Sequence, residues 1–218
     1  MIIKGYGVSL ERLSEKDLEL VRVKRNSIEI SQFMDYREII SPEMQQTWFN
    51  SINNINNLYY VITYKNEKVG LINGAKIDWN KMETASGGIF IWKEELWQTN
   101  VPLMANMLVM DISIFLGLKK SFVKIMNSNK RAIQYNTMLG YEVWSDSESE
   151  DSKIYVLEGS NYLEKTAIYR KYLSKQYGSR FETIIDDPEA PITQFLVDRV
   201  NKMSENDKYI MNMVFPNK

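Results

Sequence analysis

Apolar positions change their period several times along the chain, and each change marks an element. The opening run IIKGYGVSLERL reads as a strand. Ser14 then starts a helix, with Asp17 three residues on completing a capping box, and Leu18 and Val21 share one face of it. Ser41 and Pro42 are the residue types of an N-cap and a first helical position, and Met44, Trp48 and Ile52 repeat every four residues behind them as an apolar stripe. NNINN breaks that pattern. From Leu58 the period shortens to that of strands. LYYVITY and VGLINGAKID, joined by KNEK, form a hairpin, and a second turn near NKMET leads to ASGGIFIW, giving a three-stranded meander.

The stretch from Val101 to Leu116 is apolar almost all round, which predicts a helix covered on both faces, with Gly117 as its C-cap. SFVKIM is a short strand. Asn129 caps a helix on which Ala132, Tyr135 and Leu139 share a face, and Gly140 ends it. YEVWSDS and KIYVLEG are two further strands, joined by the acidic loop SDSESEDS, read as a solvated turn. After Gly159 the pattern is mainly helical. NYLEKTAIYRKYLSKQYG is followed by a linker, IIDDPEAP, and by ITQFLVDRVNKM with Ile192, Leu196 and Val200 in register. The order predicts an α+β fold, with residues 1–158 as one domain and 159–218 as an extension that packs on the domain or on a partner.

Composition narrows the chemistry. The chain has 218 residues, 44% hydrophobic and 25% charged, as in a globular protein. With 27 basic and 28 acidic side chains, it has no whole-surface attraction for nucleic acid or anionic lipid, and neither partner is expected. The absence of cysteine rules out disulfides and thiolate chemistry and fits a reducing cytoplasm. The absence of histidine rules out Ser-His-Asp and Cys-His catalysis, and no metal site is expected. The N-terminus does not read as a signal peptide. The longest apolar stretch is interrupted by Asn106, Asp111 and Ser113 and reads as a core helix rather than a membrane span.

Four stretches carry a family likeness. In LSEKDLELVRVKRNSIEISQFM they are Asp17, Arg25, Asn26 and Met34; in ISPEMQQTWF, Trp48, with Gln45 where relatives often have His. The third is the meander with VGLING and KID. The fourth is IMNSNKRAIQYNTMLGYEV, at Asn129, Ala132, Leu139, Gly140 and Tyr141. Over residues 1–158 the chain resembles the GCN5-related N-acetyltransferase (GNAT) superfamily, above all the branch of ribosomal-protein and nucleotide-amino-sugar N-acetyltransferases.

The resemblance implies a mainly antiparallel, twisted sheet flanked by helices, with acetyl-CoA in a V-shaped gap between two strands. Pantetheine would pair with the strand at about Gly88 to Trp92, and the pyrophosphate would sit at the start of the next helix. The cofactor contacts so implied are Ile89, Phe90, Ile91, Gln98, Thr99, Asn100, Val101, Leu103 and Asn129; the substrate contacts are Arg25, Asn26 and Met34. The implied reaction is direct acetyl transfer to a primary amine of a small molecule, a nucleotide-linked amino sugar among them, or of a protein or peptide.

The chain also departs from that pattern. The phosphate loop of the family, Gln or Arg, two residues, Gly, one residue, Gly or Ala, aligns to Gln98, Val101 and Leu103, so both glycines are missing. Pro102 removes a further N–H. WQTNVPLMANM is therefore either an ordinary strand-to-helix turn or a phosphate site with weakened contacts. The position of the family's catalytic tyrosine holds Asn136, which donates a hydrogen bond but does not transfer a proton usefully at pH 7. Asp78 and Glu83 are the candidate general bases, with solvated turn residues as the competing reading. Trp92 and Trp97 flank the gap and either line or fill it. The second functional reading is a catalytically degenerate binding module with the same fold. The extension covers the core, forms a homodimer contact or closes over a substrate.

Overall fold

The computed structural model describes residues 1–34, 36–146 and 151–214; the middle of the acidic loop SDSESEDS lies outside them. Among the described residues, ten strands form one sheet. In chain order they are β1 (Ile2–Gly5), β2 (Val8–Arg12), β3 (Leu58–Tyr64), β4 (Glu67–Asp78), β5 (Glu83–Ile91), β6 (Lys120–Met126), β7 (Glu142–Asp146), β8 (Ser152–Glu158), β9 (Glu182–Ile184) and β10 (Met213–Val214). Their spatial order is β10-β9-β1-β2-β3-β4-β5-β6-β8-β7. Pairing is antiparallel except for β5 with β6 and β9 with β10.

The opening run is two strands rather than the single one its pattern predicts. Tyr6 and Gly7, with φ of 52° and 84°, form a two-residue turn, and β1 folds back on β2 with Gly5 opposite Val8. Tyr6 hides the turn in the sequence because it is not a usual turn residue. Ser14 does not cap a helix through its side chain. A short 3-10 turn at Glu15–Asp17 precedes α1 (Leu18–Asn26), and the buried Asp17 carboxylate pairs with Lys68 of β4. α2 (Ile28–Ser31) and α3 (Pro42–Ile52) follow, and Ser41 caps α3 as its type predicts, accepting from the Met44 N–H at 3.2 Å. The buried positions of α3 are Gln45 and Phe49, while Met44 is exposed. The Met44–Trp48–Ile52 stripe is thus rotated, and a polar side chain faces inward.

Opposite faces of the sheet carry different layers. Val61 and Leu71 pack with α1 and α3, whereas their neighbours Tyr60, Ile62 and Ile72 pack beneath α4 (Val101–Phe115). A third cluster joins β6 and β8 to α5 (Lys130–Met138) and α6 (Gly159–Lys165). The extension continues with α7 (Ala167–Tyr177), α8 (Pro191–Asn201) and α9 (Glu205–Met211). It is not helical throughout. Part of the presumed linker belongs to β9, which pairs with β1, and Ile185 is fully buried. Two acidic residues and two prolines close behind such a short strand conceal it. Among the described residues, no helix is long and apolar enough to cross a membrane.

One polar residue fixes α4. Asp111, 3% exposed in a mainly apolar helix, accepts from Tyr6 Oη at 2.6 Å, Tyr162 Oη at 2.9 Å and both Arg170 Nη2 (2.6 Å) and Nε (3.2 Å). It thereby joins the β1–β2 turn, α6 and α7. Removing one member of such a pair strands the other charge. Asp111→Ala is expected to cost about 3 kcal/mol by urea unfolding, and Tyr6→Phe about 1 kcal/mol. A loss for Asp111→Ala no larger than that for Tyr6→Phe would show that the charge is not anchored there.

Candidate active site

β5 and β6 run together for only two register positions, Glu83 with Lys120 and Thr84 with Ser121, and then part. Three buried hydroxyls pin the vertex: Thr84 Oγ1 and Tyr141 Oη each lie 3.0 Å from Ser121 Oγ. Beyond it, β5 has only β4 for a partner among the described residues. The Ile91 carbonyl faces the open edge, where the Trp97 indole N–H caps it at 2.7 Å. Because strand backbone groups alternate in direction, Ile89 and Gly87 present their N–H and C=O to the same edge. A cavity of about 1070 Å³ runs through the gap, from the α1–α3 face to the α4–α5 face. This lies at the upper end of small-molecule sites.

The implied cofactor residues divide into two sets. Ile89, Phe90, Ile91 and Asn129 line the cavity; Asn129 also caps α5, accepting from the Ala132 N–H at 3.0 Å. Gln98, Thr99 and Asn100 are exposed and do not line it, Val101 is buried in the core, and Leu103 packs between two apolar clusters. The first turn of α4 is poor in donors. The Val101 N–H bonds Thr99 Oγ1 at 3.2 Å, Pro102 has none, and the Met104 N–H already bonds the Asn100 carbonyl at 2.8 Å. Of Val101 to Met104, Leu103 alone keeps an N–H without a partner, and that residue does not line the cavity.

A cation faces this loop from the other side, and sequence reasoning missed it. The Arg131 guanidinium lies 4.1 Å from the centre of the Trp97 ring and 5.5 Å from that of Phe33. Tyr135, one turn further along α5, donates to the Pro102 carbonyl at 3.0 Å. The i, i+4 spacing of Arg131 and Tyr135 was the available signal. Trp97 therefore lines the mouth of the gap without closing it. Trp92 lies elsewhere, donating to the Lys68 carbonyl from the α1–α3 cluster.

Of the implied substrate residues, Arg25 and Met34 line the cavity. Asn26 does not: its amide bonds both the N–H and the C=O of Ile40, each at 2.9 Å. Neither candidate base reaches the gap. Asp78 sits in the β4–β5 turn, accepting from the Lys81 and Asn80 N–H groups at 3.0 Å. The Lys81 N–H bond leads in holding its carboxyl below the usual range. Glu83 pairs opposite it at the same end of the hairpin, also outside the cavity lining. Asn136 does line the cavity, and its Nδ2 donates to the Ala132 carbonyl at 2.8 Å, leaving Oδ1 as an acceptor. Two orphan polar atoms were not anticipated. Gln45 Nε2 and Asn106 Oδ1 are buried without a partner, and both residues line the cavity. Among the described residues, no cluster of three or more His, Cys, Asp or Glu side chains could hold a metal ion.

No protein-family model and no curated protein sequence matches the chain. Solved structures do. Apo FdhC, a nucleotide-linked sugar GNAT, superposes with a TM-score of 0.65 at 19% identity, covering 79% of this chain and 98% of that one. Spermidine N-acetyltransferase from Vibrio cholerae, in complex with CoA and spermine, gives 0.61 at 18% identity, covering 72% and 98%. A domain from Methanocaldococcus jannaschii gives 0.62 at 24% identity, covering 69% and 97%. The chain thus has the GNAT fold that its sequence resembles.

The vertex has a pH signature. Burial pushes the Tyr141 hydroxyl from 10.0 up to about 12, against the opposing effect of its bond to Ser121. A pKa raised in the folded state favours the protonated form there. The resulting stability is complete below pH 10 and is lost as pH rises from 10.0 to about 12. Tyr141→Phe is expected to flatten that part of the stability–pH curve, measured by urea unfolding; an unchanged slope would show that Tyr141 titrates normally.

Proposed function

We propose that the protein is an acetyl-CoA-dependent N-acetyltransferase that passes the acetyl group directly to a primary amine. The observation that carries this reading is the unpaired edge of β5, which opens into a large cavity within a GNAT fold. The residues present suit the ligand. An extended amide-bearing arm meets the free backbone groups of Gly87 and Ile89 on one side. On the other side, Asn106 Oδ1 is an acceptor in want of a donor.

When bound, acetyl-CoA supplies an activated acyl group. The rest belongs to the chain. Free N–H groups on the β5 edge are suited to stabilise negative charge developing on an acyl oxygen. Asn136 Oδ1 orients the amine, which must arrive neutral to attack. With Asp78 and Glu83 away from the gap, water in the cavity accepts the amine's proton and returns one to the departing thiolate. Tyr135 takes no part in proton transfer, because burial raises its pKa and its hydroxyl is engaged by Pro102. Phosphate charge is met by Arg131, which lines the cavity and has no carboxylate partner among the described residues. A filled gap, as in a purely binding module, is not favoured: Trp92 and Leu103 lie outside the cavity lining and Trp97 borders its mouth.

Calorimetric titration with acetyl-CoA tests this reading. One site per chain is expected. Arg131→Ala should weaken acetyl-CoA by about tenfold while leaving S-acetylpantetheine, which has no phosphate, unchanged. No heat and no thermal shift at millimolar acetyl-CoA would overturn the assignment.

A further inference from the structure

The α1–α3 wall of the cavity, where an acceptor would enter, is built to receive an anion. Two donors there lack the partners that buried or half-buried groups require. Gln45 is 4% exposed, lines the cavity, and its Nε2 has no hydrogen-bond partner. Buried amide nitrogens are almost always bonded, so an empty one on a cavity wall marks a place for an acceptor oxygen. Arg25 lines the same wall. Among the described residues its one hydrogen bond, from Nη2 to the Tyr36 carbonyl at 2.8 Å, is to a neutral group, and burial alone lowers its pKa. Among the described residues, no carboxylate lies within ion-pair reach of it. A desolvated guanidinium without a counter-charge is costly unless a ligand supplies one.

We infer that the acceptor is a primary amine whose molecule also carries an oxyanion, a phosphate or a carboxylate, seated on Arg25 and Gln45. The inference rests on the acetyltransferase reading above and deepens it. Aromatic and apolar side chains complete the wall, Trp48 and Tyr59 meeting edge to face at 5.2 Å beside Met44 and Phe33. They suit the uncharged body between amine and anion. The same guanidinium repels a polycation. It also favours the neutral form of a nearby amine, which this site needs because neither Asp78 nor Glu83 reaches it. Gln45 is the signal in the sequence: an amide on the inward face of α3, where the apolar stripe predicts none.

The test is a matched panel bound to protein saturated with CoA, so that the phosphate side of the cavity is occupied. Glucosamine 6-phosphate is compared with glucosamine, glycylglycine with its amide, and spermidine serves as the polycation; binding is measured by calorimetry. At least one oxyanion-bearing amine is expected to bind about tenfold or more tightly than its uncharged parent, and more tightly than spermidine. Comparing the two pairs distinguishes phosphate from carboxylate. Arg25→Gln should erase the difference, Arg25→Lys should retain part of it, and Gln45→Leu should reduce it several-fold, all without changing CoA affinity. The proposal falls if no oxyanion-bearing amine exceeds its parent, if spermidine binds best, or if Arg25→Gln leaves the preference intact. Failure of CoA itself to bind would instead overturn the acetyltransferase reading; the panel run on the free protein would still report on Arg25.

Discussion

A strand inside a sheet normally satisfies its backbone on both edges, and β5 does so on only one. From Ser86 onward its second edge faces β6 across a widening gap, where the Trp97 indole caps the Ile91 carbonyl. That edge organises what surrounds it. The Thr84–Ser121–Tyr141 hydroxyls define where the gap begins, α4 and α5 border it on one face, and α1–α3 border it on the other. Under the proposed function, an extended ligand arm pairing with this edge would complete the sheet.

Keeping the gap open requires α4 to stay in place, and its apolar surface alone would allow it to slide or rotate. Asp111 removes that freedom. Its bonds to Tyr6, Tyr162 and Arg170 tie one point of α4 to the first hairpin and to the extension. At the other end, the Pro102 carbonyl is held by Tyr135. Leu173, Phe181, Leu196, Val200 and Met211 of the extension join the same core as α4, so this segment supports the site from behind. Close packing at Gly5, where an added Cβ would come within 2.6 Å of Phe181 and 2.8 Å of Leu108, shows how tightly these layers meet.

The sequence made the meander, the core helix and the caps at Ser41 and Asn129 legible, because each rests on a local pattern of period or residue type. The Tyr6–Gly7 turn and β9 were not, since one has Tyr6 at a position that usually takes a turn residue and the other is three residues long. At the site, the strand that borders the gap was readable, and so was the loss of the phosphate-loop glycines. Arg131 was not, and although Gln45 and Asn106 stand out in their helices their roles were not, because these depend on what a residue faces across the fold or on the partner it lacks. Asp78 and Glu83 are close in sequence to the strand that borders the gap, but they sit at the hairpin end of it, outside the cavity lining.

Hydrogen–deuterium exchange across residues 83–92, with and without acetyl-CoA, addresses the central claim most directly. The Gly87 and Ile89 amides should exchange freely on the open edge of the unliganded protein and slow markedly when the ligand pairs with them, whereas Phe90, already bonded to β4, changes little. Protection confined to other segments, or none in this strand at saturating acetyl-CoA, would contradict the account.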